Sequence, residues 1–343
     1  MVGAVLVRDG EVVGEGFHRR PGEPHAEILA LAAAGDRARG ATLFVNLEPC
    51  SHHGRTPPCA EALVTAGIAR VVACHHDPDS RVSGRGFERL REAGIAVAVG
   101  ERAKEAVELN LRFLVNQVLA RPTVTLKWAM SLDGKIATAA GESQWISGPA
   151  ARRWALALRE EHDAILVGIG TVLADDPRLD RRLGRAEGPN LRVVLDRRLR
   201  TPPAARLFGV AGPVVIYCES RDEGRARELA ERGATVVCLS EVSPAAALAD
   251  LAGRGVSSLL VEGGREIATA FFAADLFDRL EVAVAGRLLA GQTAPGPLGG
   301  RGVERLVDAP SVARLKARKC GSDLVLSGFN SKCLPALFAK LAS

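Results

Sequence analysis

Short apolar runs alternate with helix-length stretches along the whole chain, and this alternation restricts the fold to sheets covered by helices. Val2 to Val7 and Val12 to Phe17 flank Asp9-Gly10, a dipeptide that accepts the backbone of a tight turn, so a hairpin opens the chain. His25 to Ala34 reads as a helix, Ala41 to Leu47 as a strand, Cys59 to Ala66 as a helix, Ala69 to Cys74 as a strand and Gly86 to Ala93 as a helix. A helix over Asn110 to Leu119 leads into Arg121-Pro122, where proline suits a linker. Beyond Pro122 the alternation restarts on a larger scale. Val124 to Lys127, Ala164 to Val167, Leu191 to Leu195, Pro213 to Tyr217, Thr235 to Leu239 and Ser258 to Val261 are apolar enough to be buried strands. Helical stretches at Pro149 to Glu161, Gly224 to Arg232 and Pro244 to Leu251 lie between them. The expectation is an α/β chain with a first domain over residues 1–120, a doubly wound domain over 121–328, and a C-terminal extension over 329–343 to which no role is assigned.

Composition narrows the class. Hydrophobic residues make up 47% of the 343 and charged residues 25%, the balance of an ordinary globular protein. No apolar run reaches the roughly 20 residues of a membrane helix, and the start has neither the basic head nor the cleavage site of a signal peptide. The net charge of +5 is spread among acidic residues rather than gathered into a basic tract, which speaks against nucleic acid and leaves small phosphorylated ligands open. The expectation is a cytoplasmic homo-oligomer acting on small molecules, with neither nucleic acid nor membrane as a partner. Seven cysteines without a secretory signal argue for metal or packing roles over disulfides. Cys74, Cys218, Cys238, Cys320 and Cys333 read as small buried hydrophobes.

The other two cysteines belong to a constellation. His25-Ala26-Glu27, then Pro49-Cys50 and Cys59, supply one imidazole and two thiolates, which leaves a tetrahedral zinc one position for water. A carboxylate two residues from a ligand, Glu27, is placed to carry protons between that water and a leaving amine. Zinc deaminases of nucleobases carry His-x-Glu followed by Pro-Cys-x-x-Cys; here eight residues separate the cysteines. The inserted stretch, Ser51-His52-His53-Gly54-Arg55-Thr56-Pro57-Pro58, is polar and reads as a substrate loop, with a solvated surface loop as the alternative. His52, His53, His75 and His76 are candidates for a fourth ligand in a closed, structural site.

With Glu48-Pro49-Cys50-Ser51-His52, this stretch resembles the deaminase half of the bifunctional riboflavin-biosynthesis deaminase-reductases. The resemblance implies a cytidine-deaminase-like α/β/α domain that deaminates 2,5-diamino-6-ribosylamino-4(3H)-pyrimidinone 5′-phosphate. It implies substrate contacts from His52, Arg55 and the Asp77-Pro78 turn, with Gly84-Arg85-Gly86 near the ribose phosphate.

The remainder carries the matching reductase blocks. Lys127-Trp-Ala-Met-Ser-Leu-Asp-Gly-Lys135, Gly141 to Ser147, Gly168 to Leu179 and Val261-Glu262-Gly263-Gly264 all resemble the reductase half, whose fold is similar to dihydrofolate reductase. By the residues themselves, Gly263-Gly264 between a strand and a helix over Arg265 to Ala273 suits a cofactor phosphate, and Arg197 or Arg198 could meet the 2′-phosphate of NADPH. By resemblance, Ala129, Trp145, Thr171 and Asp175 meet NADPH, while Ser143, Arg159, Leu179, Arg182 and Glu262 line the sugar-phosphate substrate. The implied reaction delivers hydride to C1′ of the ring-opened ribose, with Asp175 as proton partner; a helix or turn cap is its alternative role.

Relatives carry a first helix and an Asn-Pro pair ahead of the Val-Gly-Ala-Val strand at which this chain begins, and that asparagine contacts the pyrimidine. Asp79 stands where the family more often has asparagine. An alternative therefore stays open: a working reductase attached to an inert, zinc-stabilised deaminase-like module.

Overall fold

The computed structural model describes residues 1–20, 22–52, 57–79, 82–184, 186 and 188–341. Two compact units separate, one of Met1–Leu119 together with the chain from Leu334 on, the other of Ala120–Cys333. Among the described residues no helix is long and apolar enough to cross a membrane.

In the first unit, β1 (Gly3–Arg8) and β2 (Glu11–Phe17) form the hairpin, and Asp9 and Gly10 both take positive φ, 52° and 82°, as a two-residue turn between twisted strands requires. β3 (Thr42–Val45) pairs antiparallel with β1, and β4 (Arg70–Ala73) and β5 (Ala96–Val99) follow in parallel, giving the order β2-β1-β3-β4-β5. Parallel neighbours need crossovers. These are α2 (Cys59–Ala66) and α3 (Arg85–Glu92); α4 (Ala103–Leu109) and α5 (Leu111–Leu119) come after β5. Leu6, Leu43, Leu63, Val71, Phe87 and Leu90 are fully buried in its core.

The helix that begins beside His25, α1 (Ala26–Ala34), presses on β2. A Cβ on Gly14 would stand 2.3 Å from the Ala30 carbonyl oxygen, and one on Gly16 2.5 Å from that of Ala26. Glycine on the strand and alanine at 26, 30 and 34 on one helix face let backbone meet backbone there.

The second unit is built from β6 (Thr123–Ser131), β7 (Ala164–Gly168), β8 (Leu191–Leu195), β9 (Val214–Cys218), β10 (Ala234–Cys238), β11 (Ser258–Val261), β12 (Arg279–Ala285), β13 (Val312–Cys320) and β14 (Asp323–Asn330). Its helices are α6 (Pro149–Glu160), α7 (Ile169–Asp175), α8 (Glu223–Glu231), α9 (Pro244–Gly253) and α10 (Arg265–Ala273). The strand order is β10-β9-β8-β7-β11-β6-β12-β14-β13. All neighbours from β10 to β12 are parallel, and β14 and β13 are added antiparallel. β7, β9 and β11 are buried along their whole length, as strands covered on both faces must be. Because β11 seats between β6 and β7, the strand order reverses there, and the carboxyl ends of these three strands open on a crevice.

Three strands depart from the sequence expectation. β13, Val-Ala-Arg-Leu-Lys-Ala-Arg-Lys-Cys, is an edge strand with most side chains in water, so no apolar alternation announces it. β12 carries a buried charge, Glu281, which accepts a hydrogen bond from Ser327 Oγ at 2.5 Å. β14 runs to Asn330, across the expected domain end at residue 328. The stretch after it forms a further helix, α11 (Cys333–Leu341), whose buried Leu334, Leu337 and Leu341 share one face.

Asp278 fastens the start of β6 to the start of β12. Its fully buried carboxylate accepts from Arg121 Nη1 and Nη2 at 2.7 and 2.8 Å, from the Val124 N–H at 2.8 Å and from the Cys333 thiol at 3.1 Å. Asp278→Ala strands the guanidinium, and breaking a buried pair this way costs about 3–5 kcal/mol. The expected result is a lower urea midpoint for the second unit; an unchanged midpoint refutes the role.

Candidate active sites

Two helix starts and one strand end converge in the first unit. His25 immediately precedes α1, Glu27 lies in the first turn of α1, Cys59 opens α2, and Cys50 lies in the segment after β3. His25 Nδ1 is 3.2 Å from Cys59 Sγ and 3.5 Å from Cys50 Sγ, and the three ligand atoms lie within 4.8 Å of one another. A tetrahedral zinc with bonds of about 2.0–2.3 Å sets its ligand atoms about 3.6 Å apart, so the cluster fits. The Cys59 backbone N–H donates to Cys50 Sγ at 3.3 Å. The Cys59 side chain and this N–H lower the Cys50 thiol, whereas contact with Cys50, then burial, pushes the Cys59 thiol far up. Two touching thiols resist joint ionisation until a cation lies between them. Burial, with His18 and His52 nearby, lowers the His25 imidazole and favours the neutral form that binds metal. Burial likewise raises the Glu27 carboxyl, whose side chain touches Cys59.

Among the described residues no fourth His, Cys, Asp or Glu joins this set, so the closed site does not form there. His75 Nδ1 lies 2.8 Å from the His76 carbonyl oxygen, and His76 faces Glu48 at 3.6 Å. Among the described residues His52 Nδ1 is buried with no hydrogen-bond partner. Asp77 is buried, and its carboxylate accepts from the Asp79 N–H at 2.9 Å. Arg55 and His53 lie outside the described residues.

In the second unit a cleft of about 1200 Å³ opens at the carboxyl ends of the central strands. Ser143, Arg159, Arg182 and Glu262 line it, as do Ala129, Trp145, Thr171 and Asp175, and also Arg197, Gly263 and Gly264. Leu179 does not: its side chain is enclosed in the core with Val167 and Val194, so no substrate contact through that side chain is available. Arg197 pairs with Glu219 at 3.5 Å, with Arg198 and Arg200 beside it on the same wall. Gly263 owes its missing side chain to packing, since a Cβ there would meet Ile267 at 2.5 Å; Gly264 next to it is open, with Thr171 Oγ1 at 3.8 Å. Asp175 is the last residue of α7, where its charge opposes the helix dipole, and accepts from Gln144 Nε2 at 2.9 Å. Trp145 is 61% exposed, with the Arg152 guanidinium 4.9 Å from its ring centre. Glu262 accepts from Arg159 Nε and Nη2 at 3.0 and 2.6 Å, with Lys127 Nζ at 3.9 Å. Burial alone would raise Glu262, but Arg159 and Lys127 overcome it and hold the carboxyl low; burial lowers Lys127 against the pull of Glu262. Lys127 on the cleft wall opens the Lys127–Lys135 block that resembles the reductase half, but no role of its own was read from the sequence.

Sequence reasoning also passed over Glu48. Its buried carboxylate accepts four backbone N–H groups: Gly86 and Phe87 at 2.9 and 3.3 Å on Oε1, Gly84 and Asp77 at 3.0 and 3.1 Å on Oε2. It thereby caps α3 from another segment, and a Cβ on Gly86 would fall 2.0 Å from the Pro49 carbonyl. The Gly84 and Gly86 N–H groups are thus engaged by Glu48 instead of facing a ribose phosphate, and exposed Arg85 is the part of that run able to reach an anion. The available signal was a carboxylate at the end of a buried strand, two residues before a ligand. Glu48→Gln offers an amide N–H to buried donors, and each donor left unsatisfied costs about 1–3 kcal/mol. Thermal unfolding of the first unit should move down accordingly; no shift would refute the cap.

Comparison with known proteins places both units in one lineage. Residues 1–75 match the cytidine and deoxycytidylate deaminase zinc-binding region, and residues 122–326 the RibD C-terminal domain. The riboflavin biosynthesis protein RibD of Escherichia coli is 42% identical over 340 residues, covering 95% of this chain and 92% of that protein. That of Aquifex aeolicus is 41% identical over 325 residues, covering 95% and 90%. The structure of Acinetobacter baumannii RibD, form 1, superposes with a TM-score of 0.80 at 37% identity over 96% of this chain and 92% of that one. A diaminohydroxyphosphoribosylaminopyrimidine deaminase/5-amino-6-(5-phosphoribosylamino)uracil reductase from Thermotoga maritima gives 0.78 at 33% identity, covering 96% and 91%. The chain belongs to the RibD family, the bifunctional deaminase-reductases of riboflavin biosynthesis.

Proposed function

We propose that the first unit removes an amino group from a phosphorylated ribosylaminopyrimidine and that the second reduces the ribosyl group of the product with NADPH. The observation that carries the reading is the convergence of His25, Cys50 and Cys59 with buried Glu27 against them. His25, Cys50 and Cys59 would hold zinc, a Lewis acid that makes water nucleophilic at neutral pH. Glu27, with its raised pKa, takes the proton of the attacking water and passes it to the departing amine. His52 and Asp77 orient the pyrimidine, with Arg55 as a further contact. An inert first unit finds no support, because Glu27 is turned toward the ligand set.

In the cleft, Ala129, Trp145, Thr171, Arg197 and Gly264 would hold the cofactor, and NADPH supplies the hydride. Ser143, Arg159, Arg182 and Glu262 grip the sugar phosphate, and Asp175 supplies the proton that accompanies reduction. Lys127, buried beside Glu262 on the cleft wall, is a second proton donor for the same site. The reading includes a cytoplasmic homo-oligomer with no nucleic-acid partner, in keeping with dispersed Lys and Arg.

Glu27→Gln retains the ligand set, so zinc content should persist while ammonia release falls about 10²–10⁴-fold. Reduction of substrate supplied already deaminated should continue. Asp175→Asn should do the opposite; if it leaves NADPH oxidation intact and Lys127→Met does not, the proton role passes to Lys127. Loss of both activities from Glu27→Gln in folded, zinc-loaded protein would overturn the two-site reading.

Arg197→Ala tests the cofactor. A charge-assisted contact contributes about 1.5–3 kcal/mol, so the preference for NADPH over NADH should drop by roughly tenfold or more in KM ratio, with NADH use unchanged. An unaltered ratio assigns the 2′-phosphate elsewhere.

A further inference from the structure

Five cysteines lie outside the zinc cluster, and two of them face each other. Cys218 ends β9 and Cys238 ends β10, and the two are paired in register. Neighbouring strands lie about 4.7–4.9 Å apart, inside the roughly 4.4–6.8 Å between Cα atoms that a disulfide spans. Both thiols converge on one acceptor: Cys218 Sγ is 3.5 Å and Cys238 Sγ 3.6 Å from the Ser220 carbonyl oxygen. They differ in access, Cys218 being buried and Cys238 exposed, which corrects the expectation that both are buried packing residues. Burial, then contact with Cys238, pushes the Cys218 thiol up to about 11.

Both strand ends run directly into the wall of the cleft. The Glu219 and Ser220 N–H groups both donate to the Arg197 carbonyl, at 3.0 and 3.1 Å. Glu219 Oε1 pairs with the Arg197 side chain at 3.5 Å and accepts the Val242 N–H at 2.7 Å. Glu241, Val242 and Ser243, just beyond Cys238, line the cleft with Arg197.

We propose that Cys218 and Cys238 are a thiol pair which a peroxide converts to a disulfide, and that this bond weakens NADPH binding in the adjoining cleft. The second clause rests on the reading that Arg197 meets the cofactor there. The exposed Cys238 sulfur attacks the peroxide, whose O–O bond breaks with release of water, and becomes a sulfenic acid. Cys218 then attacks that sulfur and expels a second water, so that two S–H bonds are lost, one S–S bond forms, and the two electrons reside in the reduced peroxide oxygens. The Ser220 carbonyl loses both thiol donors, and the ends of β9 and β10 become covalently locked beside the Glu219–Ser220 segment that holds the Arg197 carbonyl.

The test uses the full-length, zinc-loaded protein. After hydrogen peroxide and alkylation of free thiols, non-reducing peptide mapping should show the Cys218 and Cys238 peptides linked. The NADPH dissociation constant, read by fluorescence, should rise about fivefold or more, the range of ordinary site-to-site coupling, and return with dithiothreitol. Cys238→Ser should bind NADPH like the parent and ignore peroxide. The proposal is overturned if Cys238 over-oxidises without linking, if the link forms and affinity stays the same, or if Cys238→Ser responds as the parent does. Untreated protein that fails to bind NADPH would refute the cofactor reading alone, since the peptide map still decides the disulfide.

Discussion

The contact between β2 and α1 leaves no room for a side chain on the strand. Gly14 and Gly16 face Ala26, Ala30 and Ala34, and the backbones approach until carbonyl oxygens stand where a Cβ would be. That proximity fixes where the first turn of α1 lies, and the first turn carries Glu27, with His25 just before it. The start of α2 brings Cys59 to the same point, and its backbone N–H reaches Cys50. Two helix amino ends therefore border the ligand set, where partial positive charge favours thiolate. Glu48 completes the frame from behind by accepting the backbone N–H groups of Asp77, Gly84, Gly86 and Phe87.

The second unit solves a different problem. Its charged cleft-lining groups are gathered by topology: β11 entering between β6 and β7 sets Glu262, just past its end, beside Lys127 of β6, and Arg159 from α6 reaches Glu262. Two cations, Lys127 and Arg159, share the one Glu262 carboxylate there, so removing Glu262 leaves both without a counter-charge in a medium that penalises them.

The His25, Cys50 and Cys59 cluster, with Glu27 beside it, was legible in the sequence because metal chemistry leaves a narrow choice of residue types, so these four stand out by identity and spacing. The buried parallel strands were legible for a similar reason, as continuous apolar runs. The elements that escaped notice obey no such pattern. β13 is an edge strand written in Arg and Lys, β12 holds a buried glutamate, and α11 lies in the extension over 329–343 to which no role was assigned. Gly14 and Gly16 did leave a trace, since two glycines spaced by two on a strand, followed by alanines spaced by four on a helix, spell a close crossing. Leu179 shows the reverse hazard, an expected contact residue whose side chain belongs to the core.

The place of β11 has a consequence for synthesis. Thr123 pairs with Ser258, so the centre of the large sheet stays open until a strand far along the chain arrives, whereas the first sheet can close once β5 has been made. On the ribosome, β6 and β7 must wait with apolar faces uncovered while β8, β9 and β10 are added outward from β7. Sheets with such distant pairings assemble slowly and expose sticky surface meanwhile. Chaperone demand during expression should therefore fall on the reductase half, and a chain released before residue 258 would have a sheet that cannot be closed.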